Sequence, residues 1–296
     1  MVSVPGGGGV PRASDARRGT PVDRSQTEPD ITVIVPTLNE AANLEVVLPE
    51  LEEVLDRLPG EHEVIVVDGG SVDDTVATAH AVLPDAEVVE QARAGKGNAV
   101  ATGLEHAEGD VVVMFDADGS ADPEEIPAFV EALVEGADFA KGSRFTEGGG
   151  SSDITPVRRA GNAALNTVAN TAFGTEFTDL CYGYNAFWAD MTPVLDLPDA
   201  STPAEPGEPE MVWGDGFEIE TLINVRMAAS GAEITEVPSV ERDRIHGESN
   251  LHAVRDGLRV LRTIIVERMR LSAGKMVAAP RARRARRAAL RETTAA

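Results

Sequence analysis

Cysteine is nearly absent from this sequence. Cys181 is the only one, which excludes an intrachain disulfide and suits a reducing cytoplasm. Long apolar runs are missing as well. No stretch approaches the roughly eighteen residues of a membrane span, so any membrane contact is expected to be peripheral. Positive charge is scarce: 26 Lys and Arg stand against 50 Asp and Glu, a formal net charge of -24. That balance argues against general nucleic-acid binding, which wants a basic face. Residues 1–29, rich in Gly, Pro, Ser, Arg and Asp, lack the apolar core of a signal peptide and read as a disordered leader. There is no internal repeat.

What remains is ample for one large α/β domain plus tails: 296 residues, 42% of them hydrophobic. Ile31–Val35 is β-branched and apolar, and Pro36 is expected to end it as a strand. Leu44, Val47, Leu48, Leu51, Val54, Leu55 and Leu58 recur at helical spacing, with Pro49 predicting a kink or a late start. Val64–Val67 is a second buried strand ending on Asp68, and Asp73 can cap the helix after it. Val88-Val89 is a weak third strand, Asn98–Ala107 a helix, Val111–Phe115 another strand. Asp122-Pro123-Glu124-Glu125 is a helix start, with an N-cap, Pro at the first position and Glu at the third. Further on, Val157–Phe173 reads as a helix stopped by Gly174, Tyr184–Ala189 as a strand, Phe217–Ser230 as a helix, Ile234–Val240 as extended, and Leu251 to Leu271 as a final helix. Apolar strands alternating with helices imply a mostly parallel, Rossmann-like sheet with helices on both faces, which binds ligands beyond the carboxyl ends of its strands. The boundaries expected are a leader over 1–29, a catalytic domain over 30–250, and an amphipathic helix with a basic tail over 251–296.

Polar residues collect at those strand ends. Asp116 and Asp118, one residue apart after a buried strand, can share one hard cation such as Mg²⁺ or Mn²⁺, or can form an acidic turn leading into a capped helix. Asp68 can accept hydrogen bonds from a base or ribose, or pair with the backbone of its own turn. Gly95-Lys96-Gly97-Asn98 opens a helix whose N-terminus favours anions; it is equally an ordinary glycine-rich helix start.

Taken in order, Val33–Glu40 (VIVPTLNE), Val66–Thr75 (VVDGGSVDDT), Gly95–Ala99 (GKGNA), Phe115–Asp118 (FDAD), Lys141–Arg144 (KGSR), Asp179–Phe187 (DLCYGYNAF), Gly216–Glu220 (GFEIE) and Arg244–Asn250 (RIHGESN) resemble the motifs of family-two glycosyltransferases. The later ones resemble the dolichol-phosphate or polyprenyl-phosphate mannosyl- and glucosyltransferase branch, and the resemblance runs from about Ile31 to Leu251. It implies a GT-A fold, an inverting hexosyl transfer and a nucleoside-diphosphate sugar donor such as GDP-mannose or UDP-glucose. It also implies a lipid-phosphate acceptor and contact with the inner face of the cell membrane. By the same resemblance Pro36, Thr37, Glu40 and Asp68 hold the nucleoside, and Lys96 lies in the donor site. Asp116 and Asp118 bind the metal, and Arg244 and Ser249 close over the phosphates. Arg144, Arg158 and Arg159 hold the acceptor headgroup.

Four departures stand out. Gly69 stands where the first acidic motif often carries a second Asp, Ser120 occupies a position where Gln is often a further metal ligand, His246 replaces an aromatic and is a candidate substitute ligand, and Asn250 replaces Lys. A phosphate acceptor needs little base assistance, whereas a hydroxyl acceptor needs a general base. Asp179, Asp215, Glu218 and Glu220 are the candidates. The basic C-terminal tail beyond Lys275 suits an anionic membrane surface. Rival readings are a glycosyltransferase with a soluble or polysaccharide acceptor, a nucleotidyltransferase, and a non-catalytic sugar-nucleotide-binding module.

Overall fold

The computed structural model describes residues 29–152, 154–202, 211–247 and 253–279; the expected leader, most of the basic tail and Ser249 lie outside them. The elements in chain order are β1 (Ile31–Thr37), α1 (Ala41–Leu55), β2 (His62–Asp68), α2 (Thr75–Val82), β3 (Glu87–Glu90), α3 (Lys96–His106) and β4 (Val111–Met114). A 3-10 turn over Pro123–Glu125 leads into α4 (Ile126–Val134). Then come β5 (Phe139–Ser143), β6 (Gly150–Ser151), α5 (Pro156–Phe173), β7 (Asn185–Trp188), α6 (Thr192–Leu195), α7 (Ile219–Ser230), β8 (Ile234–Pro238), β9 (Val240–Glu241) and α8 (Ala253–Ser272).

Seven strands form one sheet in the order β3-β2-β1-β4-β7-β5-β8, and β6 pairs with β9 apart from it. β1 lies parallel to β2 and β4, and β2 to β3, while β7 runs antiparallel to both β4 and β5. Successive strand residues point to opposite faces, and Val33, Ile34 and Val35 are all fully buried, so both faces are covered. This is the mostly parallel α/β sheet expected.

Two prolines behave otherwise than expected. β1 does not stop at Pro36 but pairs with β2 as far as Thr37. Gly69 N–H donates to the Thr37 carbonyl at 2.8 Å, so Thr37 turns its backbone toward β2 and Pro36 turns to the other side. On that side pairing with β4 ended opposite Ile34, so the missing N–H of Pro36 breaks no ladder bond. Pro49 lies inside α1 on its exposed side, and the helix starts at Ala41 regardless.

A second apolar cluster of Ala169, Phe177, Leu180, Val225 and Ile264 joins α5, α7 and α8. Arg226 and Glu267, both buried, add a bidentate pair at 2.9 and 3.0 Å that ties α7 to α8.

Candidate active site

The loops after β1 and β2 are tied to one another. Asn39 N–H donates to Ser71 Oγ at 2.8 Å, Val72 N–H donates to Asn39 Oδ1 at 2.9 Å, and Glu40 N–H donates to Thr75 Oγ1 at 2.9 Å. Asn39 adopts a left-handed φ of 57° to allow this. Thr37 is buried and donates to the Val67 carbonyl at 3.1 Å. Asp68 is 5% exposed; its Oδ2 accepts N–H bonds from Gly70 and Ser71 at 3.0 Å each. Its Oδ1 is buried with no partner among the described residues. A buried carboxylate oxygen left bare is costly, which makes it a ready acceptor for a ligand N–H.

Beyond β4, Lys96 reaches Asp116 Oδ1 at 2.7 Å and Glu220 Oε1 at 2.7 Å. Burial works against the charged amine, but these two carboxylates outweigh it and hold the Lys96 pKa above the ordinary lysine value. Gly183 permits the approach, since a Cβ there would lie 2.8 Å from Glu220 Oε1. Arg244 bridges Glu40 Oε1 at 3.0 Å and Asp118 Oδ2 at 2.8 Å. The segment that carries it is laid on the β4 loop: Arg242 N–H donates to the Ser120 carbonyl at 2.8 Å, and Ile245 N–H to the Asp118 carbonyl at 3.1 Å. Gly119, at φ 76°, gives Ile245 its room. Lys96 with Asp116 and Glu220, and Arg244 with Glu40 and Asp118, thus form two triads, four acids and two cations in all, that share the Asp116–Asp118 segment. The formal excess of negative charge and the all-oxygen donor set fit a hard divalent cation held by Asp116 and Asp118.

His246 is exposed, and only its backbone is fixed, its N–H donating to Asn43 Oδ1 at 2.9 Å. It joins no three-residue ligand cluster among the described residues. The one such cluster, Glu52, Asp56 and His62, sits where α1 ends and β2 begins, at the opposite end of the sheet from Asp116.

Several residues expected to meet substrate are instead buried in ion pairs. Asp215 is 1% exposed and takes a bidentate bond from Arg93 at 2.7 and 2.9 Å, plus the Val212 N–H at 2.8 Å. Glu218 Oε1 accepts the N–H groups of Gly214 and Gly216 at 3.1 and 3.3 Å. Both acids shape the 211–216 loop. Asp179 is fully buried and binds Arg144 Nε at 2.6 Å, Arg144 Nη2 at 2.9 Å and Asn162 at 3.1 Å. Arg144 also reaches Glu241 at 3.0 Å and lies 4.7 Å over the Tyr182 ring. Burial opposes its charge, yet Asp179 and Glu241 raise its pKa above the usual guanidinium value. Arg144 is therefore buried and anchored on Asp179 and Glu241. Arg159 remains exposed at the start of α5, 5.4 Å from the Phe145 ring, with Arg158 beside it.

Arg93 was not singled out from the sequence. It also donates to the Asp199 and Thr202 carbonyls at 2.7 and 2.6 Å, so it joins three segments. The two glycines around Lys96 have a related explanation. A Cβ on Gly95 would collide with the Asp215 carbonyl and one on Gly97 with that of Gly214, while Gly97 N–H donates to the Asp215 carbonyl at 2.6 Å. What approaches the start of α3 is the chain's own 211–216 loop. Sequence spacing carried no signal for a partner 122 residues away.

Four similarities bear on this geometry. The model of glycosyl transferase family 2 matches residues 32–190. The chain is 32% identical over 229 residues to glycosyltransferase AglJ of Haloferax volcanii, covering 77% of this chain and 68% of that protein. It is 33% identical over 229 residues to the undecaprenyl-phosphate mannosyltransferase of Micrococcus luteus, covering 75% and 87%. Among solved structures, the glucosyl-3-phosphoglycerate synthase of Mycobacterium tuberculosis in complex with Mn²⁺, UDP and glucosyl-3-phosphoglycerate superposes with a TM-score of 0.59 at 25% identity, covering 83% of this chain and 81% of that one. A family match over more than half the chain, on a GT-A sheet in which β2 ends in Asp68 and acids follow β1 and β4 within three residues, makes this chain a member of glycosyltransferase family 2.

Proposed function

We propose that the protein transfers a hexosyl group, with inversion, from a nucleoside-diphosphate sugar to a polyprenyl phosphate. The observation that carries this is the meeting of Asp68, Asp116, Asp118, Lys96 and Arg244 beyond the carboxyl ends of β1, β2 and β4. In this reading the bare Oδ1 of Asp68 accepts an N–H from the base, with Pro36, Thr37 and Glu40 lining the nucleoside side. Asp116 and Asp118 would hold Mg²⁺ or Mn²⁺, which neutralises charge on the departing nucleoside diphosphate. Lys96 and Arg244 exchange their carboxylate partners for the diphosphate oxygens and stabilise the same charge in place. Ser249 would join them on the late loop, and the His246 side chain is the remaining candidate for a further ligand.

An anionic acceptor is supported by the state of the acids. Asp179, Asp215 and Glu218 are all committed to internal partners, and Glu220 is held by Lys96, so none is poised as a base. A phosphate oxygen attacks without one. Arg159, which is exposed, and the half-buried Arg158 beside it are the proposed headgroup contacts. The name of the Micrococcus relative, a mannosyltransferase acting on undecaprenyl phosphate, supports the lipid acceptor.

A second reading, a soluble phosphorylated acceptor, is favoured by the likeness to the glucosyl-3-phosphoglycerate synthase. Incubation with Mn²⁺ or Mg²⁺, labelled GDP-mannose or UDP-glucose, and either a short-chain polyprenyl phosphate or 3-phosphoglycerate separates the two. Label on the polyprenyl phosphate alone is the expected result. Label on phosphoglycerate alone replaces the proposal with the second reading, and release of no nucleoside diphosphate with any pair refutes both.

A further inference from the structure

α8 segregates its charges. Both of its acids point into the protein: Glu267 is fully buried against Arg226, and Asp256 is half-buried between Arg255 and Arg259. The opposite side exposes Arg255, Arg262 and Arg268 together with Leu258 at 62%, Ile265 at 52% and Met269 at 67% exposure. These residues recur at helical spacing and form one stripe. No helix among the described residues, α8 included, is long and apolar enough to cross a membrane.

α5 packs alongside α8, and the second apolar cluster lies between them. Arg158 and Arg159 are the only charged residues of α5, and Val157 and Val168 stand exposed at 72% and 40%. Ten residues of α5 and seven of α8 are exposed, and not one is an acid; their only charges are Arg159, Arg255, Arg262 and Arg268. Acids make up 50 of the chain's 296 residues, so their exclusion from two adjacent helix surfaces is a departure from the rest of the molecule. Single exposed apolar side chains are ordinary, but an acid-free surface of Arg interleaved with Leu, Ile, Met and Val on a chain of net charge -24 is complementary to one environment. That environment has anionic headgroups above hydrocarbon.

We infer that the outer faces of α5 and α8 are a docking surface for an anionic lipid bilayer, with Leu258, Ile265 and Met269 entering the headgroup boundary and Arg255, Arg262 and Arg268 holding phosphates. The inference deepens the lipid-acceptor reading, because the first turn of α5 carries Arg158 and Arg159, and a polyprenyl phosphate lying in that bilayer would present its phosphate there. It assigns the contact to the folded helices and not to the tail beyond Lys275.

Flotation of the full chain with phosphatidylcholine–phosphatidylglycerol vesicles, against phosphatidylcholine alone, tests it. Binding should require the anionic lipid and weaken with salt. Ile265→Glu with Met269→Glu, and separately Arg255→Glu with Arg268→Glu, should each lower binding roughly tenfold or more. Both variants should keep the thermal transition and the rate on a water-soluble short-chain polyprenyl phosphate. A chain ending at Gly274 should still bind. Unchanged binding in both helix variants, or complete loss in the truncated chain alone, overturns the inference in favour of the tail. A change in sedimentation instead of in vesicle binding makes the stripe a contact between copies and also overturns it. Vesicle binding is read without catalysis, so failure of the polyprenyl-phosphate reaction would leave this result standing by itself.

Discussion

The acids that end β1, β2 and β4 and those that follow β5 and β7 live under opposite conditions. In the first group, Asp116 keeps 39% of its side chain in contact with solvent, Asp68 has a bare oxygen, and Glu40, Asp116 and Asp118 have cations as exchangeable partners. In the second, Asp179 and Asp215 are dry and doubly bonded to arginine, at side-chain exposures of 0% and 1%. One region displays charge and the other consumes it internally. A strand end in a parallel sheet opens into a crevice, so a carboxylate there keeps solvent, as Asp116 does, or an unused oxygen, as the buried Asp68 does, and can trade partners. An acid taken into the interior is tolerable only when a guanidinium goes with it, and the pair then serves geometry.

The sharpest way to break this comparison is in the displayed set. Asp118→Asn should lower turnover by about 10³–10⁴-fold, roughly 4–5.5 kcal/mol of barrier, while the thermal transition barely moves. Initial rates in excess Mn²⁺ and a melting curve check it; near-normal turnover would remove Asp118 from the chemistry.

The consumed set should respond in stability. Arg93→Met strands a buried carboxylate and should cost about 3–5 kcal/mol, read by urea unfolding. Adding Asp215→Leu should restore much of that loss. If the double variant is as weak as the single, the cost lies in the Asp199 and Thr202 carbonyls that Arg93 also serves.

Gly97→Ala tests the seam where the two regions meet. The new methyl meets the Gly214 carbonyl, so the 211–216 loop must shift, at about 1–3 kcal/mol, and Lys96 with it. Loss of stability without any change in turnover would show that the seam does not set the Lys96 position.

The smallest effect concerns Cys181. Burial, and after it the charges of Asp179 and Glu220, push its thiol up to about 12, although the residue is partly exposed. At pH 8 the native thiol should react with a disulfide reagent at least about a hundredfold more slowly than the urea-unfolded chain, and the native rate should climb with pH toward 12. Equal rates would place Cys181 in a polar setting and weaken the account of the Asp179 cluster.

Much of the amino half was legible. Ile31–Val35, Val64–Val67 and Val111–Phe115 are unbroken apolar runs because both faces of a parallel strand are covered, and all three lie in β1, β2 and β4 or their immediate extension. Asp122 caps its turn through the Glu124 N–H at 3.1 Å, and Gly174 ends α5 in a left-handed conformation, both as local rules require. The Thr155 cap of α5 was overlooked beside them. β5 was not read as a strand, since Phe-Ala-Lys-Gly-Ser carries a lysine at its centre. Lys141 is nevertheless fully buried, its Nζ bonded to the Gly142 and Tyr182 carbonyls at 2.9 and 3.0 Å, and burial lowers its pKa.

Sequence by itself determined the strands β1, β2 and β4, the acids near their carboxyl ends and the family that owns that order of motifs, because periodicity, capping and motif spacing act within about twenty residues. Only tertiary structure decided which acids face solvent and which are spent on arginine, that β7 enters antiparallel between β4 and β5, and that Arg244 closes on Glu40 and Asp118. Those outcomes rest on contacts between residues 35 to 204 apart in the chain, where a carboxylate's role is set by what packs over it and not by its neighbours in sequence.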